Sequence, residues 1–396
     1  MQDPSRLFRI LLLVAVLLIA LNLRPALASV GPLVEDIRAA TGLSSSRLGL
    51  LTTLPLLAFG VISTLTPLLT RRFGIGRTLV GAMGLLAAGA ALRGTDSLVA
   101  LFAGTLLVGI AIALGNVLLP TLTKRNFAAR SGLVTSLYSS VMGLGAALAA
   151  GVSVPLAVDL GLGWRGSLAV WAAPAALACI AWIPLAPRFA RSPAGRSFAA
   201  AVRHLGGSKL AWSVALFMGL QSMTFYVVLA WLPAILISRG ADASHAGWML
   251  SLSQAMGILG SLILPTWAGR YAGQRGFVLI LTGMEIASLV GLMIGNPFWS
   301  PLWVSLIGFV LGGSFGLALL FIVVRAHHTE TATELSGMAQ SIGYSIAACG
   351  PPIFGALFDY RGDWLWAFLF LLMVAAVKLA AGLAAGTNAL LDPADA

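Results

Sequence analysis

The sequence predicts an all-α polytopic membrane protein with twelve transmembrane helices in two pseudo-symmetric bundles of six. Three observations lead there: composition, a succession of apolar stretches, and an internal repeat. Of the 396 residues, 59% are hydrophobic and only 9% charged, and the mean hydropathy is +0.96, so there is too little polar material to coat a soluble core. Apolar stretches near 20 residues, each able to cross a hydrocarbon core of roughly 30 Å, follow one another from Leu7 almost to the C-terminus. Backbone polar groups inside lipid must be paired within the segment, which makes these stretches helices. The 45 glycines suit helices that approach closely.

The first span is expected at 8–33. It lacks a small-residue cleavage site and runs into Asn22, Arg24 and Pro25, so it reads as retained helix rather than a cleaved leader. The second and third, 46–70 and 78–94, flank an arginine-rich loop, and the fourth, 98–121, stops before Lys124 and Arg125. Ser131-Gly132 opens the fifth, 132–156, and Trp164 precedes the sixth, 166–186. The segment 187–209 carries Arg188, Arg191, Arg196, Arg203 and Lys209 without an acid and reads as a linker between an N-terminal unit, 1–186, and a C-terminal unit, 210–396. Six more spans follow at 210–237, 246–269, 277–295, 300–324, 335–358 and 363–385. Cys179 and Cys349 lie within apolar spans and have no disulfide or metal spacing.

Basic residues set the orientation, because they favour the cytoplasmic side. With the N-terminus inside, that side holds Arg6, Arg9, Arg71, Arg72, Arg77, Lys124, Arg125, Arg130, the five of the linker, Arg270, Arg275 and Arg325. The other side holds Arg38, Arg47, Arg93, Arg165, Arg239 and Arg361. Sixteen against six places both termini in the cytoplasm. The net charge of +11 is then a matter of topology, and no nucleic-acid partner is expected.

The two units repeat one another. Pro67, Arg72 and Arg77 after the second span match Pro265, Arg270 and Arg275 after the eighth at one offset of 198 residues. Ser131-Gly132 and Gly145 match Ser336-Gly337 and Gly350 at an offset of 205. Two repeated six-helix units joined by a basic linker imply a binding site between them near the bilayer midplane.

Arg71-Arg72-Phe73-Gly74-Ile75-Gly76-Arg77 resembles the loop signature of the major facilitator superfamily, G-x-x-x-D-R-x-G-R-[RK], with Thr70 or Arg71 where the acid would stand. Leu21-Asn22-Leu23-Arg24-Pro25-Ala26, with Val30-Gly31-Pro32-Leu33, and Gly219-Leu220-Gln221-Ser222, with Phe225-Tyr226 and Ala230-Trp231-Leu232-Pro233, resemble the CynX/NimT branch of cyanate and 2-nitroimidazole transporters. The resemblance implies the major facilitator fold, a transporter rather than an enzyme, and alternating access. The missing acid puts in question the charge relay that many members use in that loop.

Arg24 stands out on physical grounds. It lies roughly 20 Å into the membrane from Ile10, too deep for easy snorkelling to the inner face, and Glu35 and Asp36 are about three turns away. A charge at that depth needs protein or a wet cavity around it. It is therefore either an anion or polar-acceptor site, its guanidinium fork holding planar oxygens or nitrogens, or a structural brace on carbonyls. Gln221, Tyr226, Gln254, Tyr138 and Tyr344 fall near mid-depth and would complete a polar, uncharged cavity, although single Gln or Tyr residues also tie helices together. Asn22 is about 200° around the helix from Arg24, so one of the two faces substrate and the other braces the fold. Asn116 and Gln340 fall nearer the helix ends, where a gate or packing role is expected, and Arg72, Arg77, Arg270 and Arg275 are expected beside the ends that separate and close.

Glu285 is a carboxylate well inside a span, either a proton site or a partner for Arg24, or else a charge near the inner interface paired with Arg270 or Arg275. His204, His327 and His328 fall in loops and His245 near the outer face, with no metal spacing. Gly312-Gly313-Ser314-Phe315-Gly316 lies in an apolar span without a preceding strand or a following Lys-Ser/Thr, which excludes a phosphate loop. No cofactor is expected. The expected partners are a small-molecule substrate and the lipid bilayer, with the chain acting as a monomer. One buried cation among neutral donors, together with the branch resemblance, points to a small planar solute, a cyanate-like anion or a polar azole such as a nitroimidazole. Export of larger hydrophobic or cationic compounds is the alternative, and it normally wants a cavity acid.

Overall fold

A computed structural model describes residues 6–127, 131–189, 205–294, 296–326 and 329–391. Most of the expected linker, residues 190–204, lies outside the described residues, as do Arg130, His204, His327 and His328 and the side chains of Arg71 and Lys124. The described chain is helical throughout, and twelve of its segments are long and apolar enough to cross a membrane. In order they are Phe8–Thr41, Ser45–Thr66, Ile75–Leu92, Leu98–Thr123, Leu137–Val158, Gly163–Trp182, Lys209–Ile237, Ala243–Ala268, Arg275–Ile294, Pro297–Val324, Glu334–Arg361 and Leu365–Ala385. An even number of crossings brings both ends of the chain to one face.

Three spans are broken rather than continuous: the sixth, into Gly163–Ala169 and Ala172–Trp182, and the first and eleventh, where proline explains the break. The first helix, Arg6–Asn22, stops before Arg24-Pro25 because Pro25 has no N–H to continue the ladder. The chain resumes as a short turn, Pro25–Ala28, a 3-10 turn, Gly31–Leu33, and a further helix, Val34–Thr41, ended by Gly42 at φ +66°. The span therefore runs past the expected end at residue 33. Glu35, Asp36 and Arg38 have the look of loop charges, but Val34 and Ile37 are buried and hold this segment helical against the protein. In the eleventh span Thr329–Ala348 gives way at Cys349 to Gly350–Arg361, whose first turn accommodates Pro351 and Pro352.

Glycines set the contacts within each half, and the contacts repeat. A Cβ at Gly145 of the fifth span would stand 2.5 Å from the Leu21 carbonyl oxygen, beside the break in the first. One at Gly350 of the eleventh would stand 2.5 Å from Met223 in the seventh. These two glycines are related by the 205-residue offset, and each lets the corresponding pair of helices in its own bundle approach closely, against backbone at Gly145 and against the Met223 and Val227 side chains at Gly350. The eighth and tenth spans cross through Gly257, Gly260, Gly308 and Gly312, where an added Cβ at Gly312 would fall 1.8 Å from the Gly257 carbonyl oxygen. The third and sixth are tied by Trp182, whose indole N–H donates to the Gly76 carbonyl at 3.1 Å.

Buried charges reinforce this frame where the sequence had suggested loops. Arg93, counted above among the loop cations, is 1% exposed and donates to the Ala26 carbonyl at 2.8 Å, in the broken part of the first span. Arg325 is also buried and donates to the Ala385 carbonyl at 2.9 Å and to the Gln274 side chain, fastening the end of the last helix.

Candidate functional site

The break in the first span determines where Arg24 sits. Its backbone, at φ −122° and ψ −33°, leaves the helical path at the half-turn before Pro25, and the side chain is only half-buried between the two bundles. The guanidinium lies 5.4 Å from the centroid of the Phe225 ring in the seventh span, a cation–π distance. It is within electrostatic range of the Tyr226 hydroxyl and of Tyr344 in the eleventh. Tyr344 packs edge-on against Phe59 of the second span, ring centroids 5.5 Å apart. One cation from the N-terminal half thus faces a phenylalanine and two tyrosines of the C-terminal half. Among the described residues no carboxylate pairs with Arg24. The aromatic surfaces leave it partly desolvated, and two hydroxyls supply neutral donors and acceptors around a positive fork.

The remaining residues predicted from sequence separate by their partners. Asn22 is buried and its amide donates to the carbonyls of Leu18 at 2.8 Å and Pro174 at 3.2 Å, tying the first span to the sixth. Its amide nitrogen is thereby committed to the helix frame. Gln221 is 1% exposed, and its amide nitrogen is occupied by Met218 and by the Ser222 hydroxyl at 2.7 Å on its own helix. Tyr138 is buried about two turns from Gly145 in the fifth span, and Gln254 is buried one turn from Ile258, which packs against Gly143 across the joint between the fifth and eighth spans. Asn116 follows Gly115, whose position is packed against Leu23, so it stands at the level of the break in the first span rather than near a helix end. Gln340 donates to Ser336 at 2.9 Å one turn back.

Arg72, Arg77, Arg270 and Arg275 are all exposed on the face carrying the chain ends. Arg275 donates to the Leu383 carbonyl at 3.0 Å, which joins the ninth span to the twelfth within one half. Glu285 pairs with neither Arg270 nor Arg275. Its partner is Lys378 of the twelfth span, and both side chains are fully buried inside the C-terminal half. Lys378 is the functional-looking residue missed in the sequence. The signal was available, since a lysine in the apolar run Leu365–Ala385 needs a partner for the same reason as Glu285. The Phe225 contact was also missed, because a phenylalanine in an apolar helix looks like any other packing residue.

Twelve spans in two bundles, with a half-buried polar site between them, define a polytopic membrane transporter. Residues 11–348 match the family described as Major Facilitator Superfamily, and the chain belongs to that superfamily. It is 42% identical to the uncharacterized transporter YycB of Bacillus subtilis (strain 168), covering 95% of this chain and 94% of that one. It is 40% identical to the 2-nitroimidazole transporter of Escherichia coli (strain K12), covering 96% of each, and 32% identical to the cyanate transport protein CynX of the same organism, covering 92% and 94%. These relatives bear out the CynX/NimT resemblance, and like the superfamily they are transporters, not enzymes. Solved structures with the same fold include the nucleoside transporter NupG, with TM-score 0.78, 15% identity, and 94% and 99% of the two chains covered. The D-xylose-proton symporter matches with TM-score 0.73 and 17% identity over 96% of each chain.

Proposed function

We propose that this chain is a secondary transporter for a small planar solute, a cyanate-like anion or a polar azole such as a nitroimidazole, moved by rocking of residues 1–186 against 210–396 around Arg24. The observation that supports this most directly is the half-buried Arg24 guanidinium, set against Phe225 and Tyr226 with no carboxylate partner among the described residues. Such a group favours a ligand with negative charge or planar acceptors, and an aromatic wall accepts a flat ring or a linear anion without demanding a large cavity. The names of two relatives, a 2-nitroimidazole transporter and a cyanate transport protein, agree with that chemistry. The sixteen-to-six distribution of cations supports cytoplasmic termini in a bacterial inner membrane, and a single site enclosed by one chain supports a monomer.

The test is thermal stabilisation of the purified protein by a panel holding cyanate, small carboxylates, nitroimidazoles and hydrophobic cations. Cyanate or an azole raising the melting temperature is the expected result, and the same ligand giving no shift with Arg24→Gln would place it at this site. A shift from hydrophobic cations alone would overturn the reading in favour of drug export.

A further inference from the structure

On the face away from the chain ends the two halves meet at Gly31, whose Cβ would stand 2.3 Å from the Leu229 carbonyl oxygen, and along two further joints between long helices. In one, a Cβ at Gly49 of the second span would stand 2.8 Å from the Pro351 backbone, and one at Gly355 of the eleventh would stand 2.6 Å from the Ser45 carbonyl oxygen. In the other, the Gly151 position is 2.7 Å from the Trp248 ring, and that of Gly247 is 3.0 Å from the Ala150 carbonyl oxygen. These contacts are mainly backbone and apolar surface, and deeper in the first joint the Thr53 hydroxyl donates to the Ala348 carbonyl at 2.7 Å.

One carboxylate crosses the first joint. Asp359, near the end of the eleventh span, accepts the Ser45 N–H at 3.0 Å and the Ser46 N–H at 2.8 Å. Those amides belong to the first turn of the second-span helix, Ser45–Phe73, where N–H groups have no partner within the helix and the helix dipole favours negative charge. Arg38 reinforces the same place, since it bonds to the Ser45 hydroxyl and its guanidinium lies 5.5 Å from the Phe358 ring centroid, next to Asp359. At its other end the second span leads into Arg71, Arg72 and Arg77, and no acid occurs anywhere between residues 37 and 95.

We propose that Asp359 is a clasp that holds the two halves shut on the face away from the chain ends, and that its release is the step opening the substrate path to that face. The proposal rests on the rocking reading given above. The clasp makes closure of this face the favoured resting arrangement, because it joins an anion on one half to the positive end of a helix on the other.

The experiment measures the opening of the second joint, which the clasp does not touch. Spin labels on Val158→Cys and Ala243→Cys, in protein carrying Cys179→Ser and Cys349→Ser, report the distance between the ends of the fifth and eighth spans. Asp359→Asn is expected to raise the ratio of long to short distances about 5-fold, the scale of an anion at a helix N-terminus. Asp363→Asn removes an equal charge nearby, but Asp363 only caps its own helix, accepting the Leu365 N–H at 2.9 Å, and should change nothing. Gly49→Leu, which wedges the first joint apart, is the positive control. Lengthening by Gly49→Leu but not by Asp359→Asn, or equal lengthening by Asp363→Asn, overturns the clasp and leaves rocking intact. One unchanged distance in all four proteins overturns rocking and the clasp with it.

Discussion

At the scale of single residues, two cations within the spans, Arg24 and Lys378, divide the labour. Arg24 is only partly buried and has no carboxylate partner among the described residues, whereas Lys378 is fully buried against Glu285. Arg24→Gln should therefore fold normally and bind substrate more weakly by on the order of 2 to 4 kcal/mol, about 30- to 1,000-fold, with Arg24→Lys recovering part of the loss. Affinity and melting temperature measured on the same preparations check this, and near-native affinity in a destabilised Arg24→Gln protein would contradict it. Glu285 and Lys378 should behave in the opposite way. Removing either partner leaves a charge stranded and should cost about 3 to 5 kcal/mol of stability, while Glu285→Gln with Lys378→Met together should cost much less. A double-mutant cycle on melting temperature reads the difference, and additive losses would show that the pair is not coupled. The sequence made Arg24 and Glu285 legible because each is an ion at a depth where ions are expensive. It did not reveal the partner of Glu285, since nothing in linear spacing says that the ninth and twelfth helices are neighbours. Tyr226 and Tyr344 were chosen by depth alone, and the same criterion selected Gln221, whose amide turns back onto its own helix.

At the scale of helices, backbone approach decides which glycines matter. Gly312 and Gly283 are both in apolar spans and look alike in sequence. A Cβ at Gly312 would collide with the Gly257 carbonyl, whereas one at Gly283 would meet nothing within 4 Å. Gly312→Ala should lower the melting temperature by several degrees and Gly283→Ala should leave it unchanged or slightly raise it, since alanine is the better helix former. Equal effects at the two positions would mean that the eighth and tenth spans do not cross in backbone contact at Gly257 and Gly312. Boundaries of most helices were legible to within a few residues, because the apolar runs end at charged or small residues. The first and eleventh spans were not, because the hydropathy of a broken helix does not differ from that of a straight one. The only local sign was Arg24-Pro25 in one and Gly350-Pro351-Pro352 in the other.

For the whole molecule, the fold was legible almost entirely, since the count of apolar runs and the offsets of 198 and 205 residues already require two like bundles of six. What remained hidden was which face is held shut, a property of contacts between residues some 300 positions apart, such as Ser45 and Asp359. Orientation is checked most simply with a C-terminal epitope. It should resist protease in right-side-out vesicles and be cleaved in inverted ones, and the reverse pattern would refute cytoplasmic termini. The Glu285–Lys378 pair also bears on how such a chain is made. The ninth helix enters the bilayer with its acid unpaired and must wait while two more helices are synthesised before the twelfth delivers the matching cation. A lone lysine costs roughly 2.5 to 3.5 kcal/mol to insert at mid-membrane, so the last helix has its own reason to seek that acid. Correct assembly of the C-terminal bundle is thereby made conditional on the chain having been synthesised as far as Lys378, and a product truncated after the eleventh span would keep a bare carboxylate among its helices.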